Sequence, residues 1–374
     1  MFSPALLTFK PVTLTPFVGH EAIRRRLAQA AAVGKLPQVL LLTGTPGVGK
    51  QRLALWLAQV ALCQQPSLEP CGSCRSCRLV GMLSHPDLHW FVPVPRPKVS
   101  DPDKQIEEAA QLLAQALEER RNQPLYIEND AMASHGIATV RLLQRRAGLT
   151  SVEGGRRIFI LGDAERLVVQ EASQEAANAL LKLLEEPPAG SLLILTTAEP
   201  RRLLPTIRSR SMALRLGRLT DAEVRAFLEA NLRPVPRAEE LDRRVAAAEG
   251  SIGRALASGE ETSKAQQAAE QLLDAVLAGP GASLERALRQ PHWAARGEFT
   301  AMLDALSETL GEAARGTLGH EPRRRVPAPL LRYQDPAPLL QAIDHVADAR
   351  EAAAGNVNPQ LLLAVLGAEL AAAL

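Results

Sequence analysis

Seven consecutive residues, Gly44-Thr45-Pro46-Gly47-Val48-Gly49-Lys50, have the types and order needed to hold a polyphosphate. They follow the apolar run from Gln38 to Thr43 and precede a helical pattern from Gln51 to Leu62, the strand-turn-helix setting in which this pattern is specific. Glycines let backbone amides turn toward phosphate oxygens, the helix N-terminus favours negative charge, and Lys50 is long enough to reach the terminal phosphates. The next position ordinarily carries a serine or threonine whose hydroxyl coordinates Mg²⁺; here it is Gln51. The amide oxygen of Gln51 can ligate a metal only if its longer side chain folds back.

A second departure falls on the same metal. The acid that holds Mg²⁺ is expected at the end of a later core strand, and "RRIFILGDAERL" has Gly162 at that place. Asp163 comes one residue later, and in an extended chain that shift turns the side chain to the opposite face. Because Mg²⁺ neutralises charge on the transferring phosphoryl group, losing both ligands impairs hydrolysis more than binding. The sequence thus predicts a weak or vestigial ATP/ADP site and no ATPase activity of its own.

All four cysteines, Cys63, Cys71, Cys74 and Cys77, lie within fifteen residues, spaced C-x₇-C-x₂-C-x₂-C. In a reducing compartment such a set reads as four thiolates closing a tetrahedral structural zinc site, with no position left open for catalysis. An iron–sulfur cluster and four free thiols are the other readings of the same spacing. His85 and His89 are close in sequence but superfluous as ligands, and are assigned to packing or surface.

The elements that must position these groups show in the hydrophobic pattern. Apolar runs at Gln38 to Thr43, Leu88 to Val92, Arg157 to Leu161 and Leu192 to Thr197 alternate with helical stretches, including Gln174 to Leu184 stopped by Pro187-Pro188. That alternation predicts an α/β domain with a parallel sheet. Past residue 217 strand signals fade, Thr220 and Asp221 offer a helix cap, and helical patterns continue to the apolar "NPQLLLAVLGAELAAAL". The charged segment from 95 to 135 reads as a surface excursion with one amphipathic helix.

Composition narrows the function classes. Aromatics are only 3% and the formal net charge is +2, so neither base stacking nor a global positive field argues for a dedicated nucleic-acid binder. The basic clusters Arg24-Arg25-Arg26 and Arg323-Arg324-Arg325 read as solvated faces. No run reaches the roughly 18 uncharged, predominantly apolar residues of a bilayer span, and the N-terminus has no basic segment followed by a long apolar one, so a cytoplasmic location is expected.

Taken together, "FVGHEAIRRRLAQA", the phosphate loop, the four cysteines followed by "SHPDLHW", "EAANALLKLLEEPP", "LTTAEPRRLLPTIRSRS", "AEGSIGRAL" and "NVNPQLLLAVLGAEL" are specific. The chain resembles the δ′ subunits of the bacterial DNA polymerase III clamp loader, within the AAA+ superfamily. The resemblance implies α/β plus all-α architecture: a RecA-like AAA+ P-loop domain at 1–217 with a zinc module at 63–77, a helical lid at 218–262, and a helical collar at 263–374. It implies a stator that assembles with γ/τ and δ subunits in a pentameric ring, acting on a sliding clamp and primer-template DNA. The alternative is a γ/τ-like ATPase motor of the same loader.

The resemblance also implies residue roles. Arg210, in Ser209-Arg210-Ser211, falls where the family places an arginine finger that enters a neighbour's ATP site, although Ser211 replaces the usual cysteine. Thr197, with Thr196 before it, ends a strand where the family places a residue that senses the γ-phosphate. In Gly250-Ser251-Ile252-Gly253-Arg254-Ala255, Gly253 stands at the nucleotide-sensing arginine position, and Arg254 is about 100° further round a helix. That is a third departure on the hydrolysis machinery.

Overall fold

The computed structural model describes residues 14, 16–65, 67–123, 125, 133–153, 155–167, 174–233, 235–257, 260–291, 298–322, 326–353 and 357–374. The basic cluster at 323–325 lies outside the described residues. The chain divides into two compact units. Described residues within 1–129, 133–227 and 250–253 form one, and those within 228–249 and 254–374 form the other.

In chain order the first unit contains α1 (Glu21–Ala32), β1 (Val39–Thr43), α2 (Lys50–Leu62), α3 (Arg75–Gly81) and β2 (Leu88–Phe91). There follow α4 (Pro102–Asn122), α5 (Ile137–Ala147), β3 (Arg157–Leu161), α6 (Gln174–Glu185), β4 (Ser191–Thr197), α7 (Pro205–Ser209) and β5 (Met212–Arg215). Helix α8 (Asp221–Asn231) runs across the division after Phe227.

The strands form one sheet in the order β2-β3-β4-β1-β5, with every pairing parallel. Strands β3 and β4 are buried at every position, which is what their unbroken apolar runs require when helices cover both faces. Strand β1 lies between β4 and β5, so Thr43 is level with Thr197 on one side and Arg215 on the other. The crevice beyond these strand ends is where an open parallel sheet binds ligands. The α/β expectation thus holds, as a five-stranded all-parallel sheet. Strand β5 departs from the sequence expectation: it is a four-residue edge strand whose apolar run, Met212, Ala213 and Leu214, is short, and Met212 and Ala213 are exposed.

Local chemistry fixes the helix starts. Asp101 accepts from Lys104 N at 2.9 Å and Pro102 opens α4, whose buried face is Ile106, Ala109 and Leu113. Thr220 and Glu223 form a reciprocal capping box at α8: Thr220 N donates to Glu223 Oε2 at 2.8 Å and Glu223 N to Thr220 Oγ1 at 3.2 Å.

The second unit is helical among its described residues. It holds α9 (Ala238–Ala248), most of α10 (Ile252–Ala257), α11 (Glu260–Ala278), α12 (Pro280–Leu288), α13 (Glu298–Thr317), α14 (Ala337–Ala353) and α15 (Pro359–Ala373). Leu272, Leu273, Phe299, Leu303, Leu306, Leu339, Leu363 and Leu366 fill its core. The apolar last helix buries Leu362, Leu363, Leu366 and Leu370, starts at the Asn358 cap, and approaches α12 so closely that a Cβ at Gly367 would meet Ser283 Oγ. No described helix is long and apolar enough to cross a membrane.

Candidate functional site

The loop from Gly44 to Gly49 leaves β1 and enters α2 at Lys50. Gly44, Gly47 and Gly49 have positive φ, and a Cβ on Gly44 would stand 2.8 Å from Leu216 O, so the glycines meet both a conformational and a steric demand. Lys50 is buried, and its Nζ donates to Gly44 O at 2.9 Å and Thr45 O at 3.0 Å. Burial pulls its pKa down, against the upward pull of Asp163 and Glu165. The lysine is thus held by the carbonyls of the loop it would serve. Phe17 packs beside Gly49, and the ring of His20 is hydrogen-bonded through Nε2 to Val48 O at 3.3 Å, so the segment before α1 braces the loop.

Beyond β3 the groups expected to hold Mg²⁺ are absent in kind. Trp90 Nε1, at the end of β2, donates to Gln51 Oε1 at 3.1 Å, so the one metal-capable atom at that position is engaged. Gly162 offers no side chain. Asp163 adopts a left-handed conformation, φ 51°, and its amide donates to Thr196 Oγ1 at 3.1 Å. The Gln51 and Gly162 positions therefore do not fit the octahedral oxygen shell that Mg²⁺ demands.

Glu165, two residues on, is buried. Its Oε1 accepts from Ala198 N at 3.2 Å, and Oε2 has no hydrogen-bond partner among the described residues. Burial first, then Asp163, pushes its pKa up, while a hydrogen bond from Thr197 opposes the rise. Thr197 is fully buried, and its hydroxyl accepts from Glu199 N at 3.0 Å. The sequence thus placed Thr197 beside the loop strand, and the structure gives its hydroxyl to Glu165 and to the turn after β4.

The strip 250–253 lies against the loop within the first unit. Ser251 Oγ donates to Pro46 O at 2.8 Å and Gly253 N to Gly47 O at 2.9 Å. At the position where the resemblance leads one to expect a sensing arginine, a glycine amide thus binds the loop backbone. In the second unit Arg254 pairs with Glu308 at 2.6 Å and Glu249 at 3.4 Å.

Arg210 follows α7. Its Nη1 donates to Thr206 O at 3.1 Å, its Nη2 lies 2.7 Å from Glu185 Oε1, and its side chain is about one-third exposed. Both contacts come from its own unit, from α7 and the end of α6. Arg24 departs from the solvated-face reading: it pairs with Glu69 at 3.2 Å and stacks over Phe17 and Trp56.

The four cysteine sulfurs lie within 4.8 Å of one another, with Cys71 Sγ and Cys77 Sγ 3.9 Å apart. Four bonds of about 2.3 Å to a tetrahedral ion put sulfurs about 3.8 Å apart, so the set fits a metal. Backbone amides of Cys74, Cys77 and Gln65 donate to Cys71, Cys74 and Cys63 Sγ at 3.3, 3.4 and 3.4 Å. The Cys74 and Ser73 amides draw the half-buried Cys71 thiol down to about 6, whereas burial pushes Cys77 up. Gly72, φ 69°, makes the tight turn that the short spacing needs. Gln59 Nε2 donates to Cys77 O at 3.0 Å, tying the module to α2. His85 is buried with Nδ1 accepting from Asp87 N, and His89 stacks on Phe159, consistent with packing.

A family model described as "DNA polymerase III, delta subunit" matches residues 19–220. The chain belongs to this family. The matched stretch contains the loop, the cysteines, Gly162 and Arg210. The delta′ subunit of DNA polymerase III from Escherichia coli K12 is 27% identical over 347 residues, covering 90% of each chain. The gamma/tau subunit of Mycobacterium bovis is 28% identical over 221 residues, 59% of this chain and 31% of the relative, so the chain spans about a third of that protein's length. Among solved structures, a gamma-subunit-related protein of Thermotoga maritima matches 91% of this chain and 97% of its own at 18% identity and a TM-score of 0.40.

Sequence reading missed three residues at this site. Trp90 lay within a recognised strand, but its bond to Gln51 joins positions far apart in the chain. Glu165 carried a faint signal as an acid two places after Asp163. Arg120 sat in the segment read as surface, yet its guanidinium stacks 5.6 Å over the Trp90 ring.

Proposed function

We propose that this chain is a non-hydrolysing δ′-type stator of the DNA polymerase III clamp loader. It supplies Arg210 to the ATP site of a neighbouring subunit while sliding clamps are loaded. The observation that carries the reading is the bond from Trp90 to Gln51 Oε1, which engages the only metal-capable atom at the hydroxyl position of the loop. Support comes also from the likeness to a delta′ subunit over 90% of both chains. A guanidinium is planar and permanently charged, which suits charge growing on a γ-phosphate, and one donated in trans accelerates transfer by roughly 10³ to 10⁵.

On this reading residues 1–217, 218–262 and 263–374 are the RecA-like domain, the lid and the collar. Partners are γ/τ and δ in a five-subunit ring, with the sliding clamp and primer-template DNA met in the assembled complex in the cytoplasm. The four cysteines hold a structural Zn²⁺, which fixes the segment between α2 and β2. ATP or ADP binds weakly or not at all through Gly44 to Gln51, with Thr197 beneath.

A γ/τ-like motor is the second reading, favoured by the retained Lys50 and the gamma/tau relatives. Single-turnover ATP hydrolysis by the purified, metal-replete chain, in excess over ATP with Mg²⁺, separates the two. The stator gives no turnover above the Lys50→Ala control. Turnover that vanishes in that control selects the motor.

A further inference from the structure

Gly162 is not among the residues with positive φ, so its backbone conformation is open to any side chain, and alanine there carries no conformational penalty. Space is what the glycine provides. A Cβ built on Gly162 would stand 2.6 Å from Gln51 Oε1, 2.7 Å from Cδ and 3.0 Å from Nε2, too close at all three atoms. The whole Gln51 amide therefore lies over the glycine, in the space where a side chain at 162 would begin.

The position is fixed from three further sides. Trp90 Nε1 donates to Gln51 Oε1, and Arg120 stacks over the Trp90 ring. The buried His135 is hydrogen-bonded through Nε2 to Gly162 O at 2.6 Å, and Gly162 N donates to Phe91 O at 2.8 Å, holding the end of β3 against β2. Gln51 cannot withdraw without giving up its bond from the indole N–H, and residue 162 cannot gain a side chain without displacing the Gln51 amide.

We infer that Gln51 and Gly162 are an interlocked pair in which the glutamine amide plugs the corner that a divalent cation would enter. The two departures from a working site are then one device, and whatever phosphate binding the loop retains is indifferent to Mg²⁺. This inference rests on the stator reading and deepens it. Reverting one position alone restores no metal site: an acid at 162 must displace the Gln51 amide, and a small hydroxyl residue at 51 loses the Trp90 bond and has no acid with which to share a metal.

Two experiments on the full chain test the plug. The first is a double-mutant cycle read by thermal unfolding, using Gly162→Ala, Gln51→Ala and the double variant. The expected result is a Tm lowered by roughly 3–5 °C by Gly162→Ala in the native background and changed by less than about 1 °C when residue 51 is alanine. The second compares the thermal shift given by ADP with Mg²⁺ and with EDTA, for the native chain and for Gln51→Thr/Gly162→Asp. The native chain should show either no shift under both conditions or less than about twofold difference in ligand concentration at half-effect, and the double variant at least tenfold in favour of Mg²⁺.

Equal effects of Gly162→Ala in both backgrounds would overturn the interlock. A strong Mg²⁺ dependence in the native chain, or none in the double variant, would overturn the exclusion of metal. Lys50-dependent ATP turnover by the native chain would remove the stator reading whatever the cycle shows. A flat cycle with no turnover would remove the plug and leave the stator standing.

Discussion

Arg210 and Glu185 form an ion pair, 2.7 Å between Nη2 and Oε1, that joins the end of α7 to the end of α6 within one unit. With Nη1 on Thr206 O, two of the three guanidinium nitrogens are oriented by neighbours while about a third of the side chain stays open. A long side chain so restrained loses less entropy on entering a partner's site than a free one. Arg210→Ala should lower single-turnover ATP hydrolysis at the adjoining site of the reconstituted loader by roughly 10³-fold or more. Arg210→Lys should not restore it, because an ammonium lacks the planar fork. Glu185→Gln should cost under about 1 kcal/mol of stability, as partly exposed pairs do, and reduce turnover far less than the loss of Arg210. Unchanged hydrolysis in Arg210→Ala would remove the finger.

The cysteine cluster makes a second expectation. One Zn²⁺ per chain should be found by elemental analysis, and Cys77→Ser, which alters the buried member, should lower that ratio well below one. Loss of the metal should lower Tm by about 5 °C or more, since roughly 2 kcal/mol is a small share of what a structural zinc contributes. A metal-free native chain with the same Tm as the metal-replete one would contradict this.

His135 predicts a pH dependence. It is buried, and burial lowers its pKa from 6.5 to about 4 despite the upward pull of its bond to Gly162 O. Between those values the unfolded chain binds a proton that the folded chain refuses, so stability is complete above about pH 6.5 and falls as the pH drops toward 4. The loss is on the order of 3 kcal/mol. His89, also lowered to about 4, with burial the first cause, contributes in the same window. Denaturant titrations of the native chain at pH 7 and 4.5 should show this slope, and His135→Gln should flatten it in part. Identical slopes in the two proteins would assign the pH response elsewhere.

Gly250 is a conformational requirement. It has φ 74°, and a Cβ there would stand 2.3 Å from Leu219 O, the residue whose amide donates to Gly250 O at 2.9 Å. Gly250→Ala should cost about 2 kcal/mol or more, a Tm decrease of at least about 4 °C. It should also speed hydrogen exchange at the Gly253 amide, which donates to the loop. A Tm within 1 °C of the native chain would show that the strip relaxes freely.

Much of this protein was legible in one dimension because its determinants are local. Strands β1, β3 and β4 announced themselves as apolar runs, the glycine-rich loop by the order of its glycines before Lys50, and the cysteine cluster by the spacing of Cys71, Cys74 and Cys77. Gln51 and Gly162 were each visible as departures, but as two separate defects. Their contact, the indole of Trp90 that fixes it, the burial of Glu165 and the reach of Arg120 arise where β2, β3 and α2 converge. Strand β5 was hidden for the opposite reason: at a sheet edge it is specified by pairing with β1, and its apolar run is only the three residues Met212, Ala213 and Leu214. Periodicity and spacing encode what a segment needs from water and from its neighbours in sequence. Which side chain fills another residue's missing volume is set only when the sheet has assembled, because steric complementarity between distant segments has no local signature.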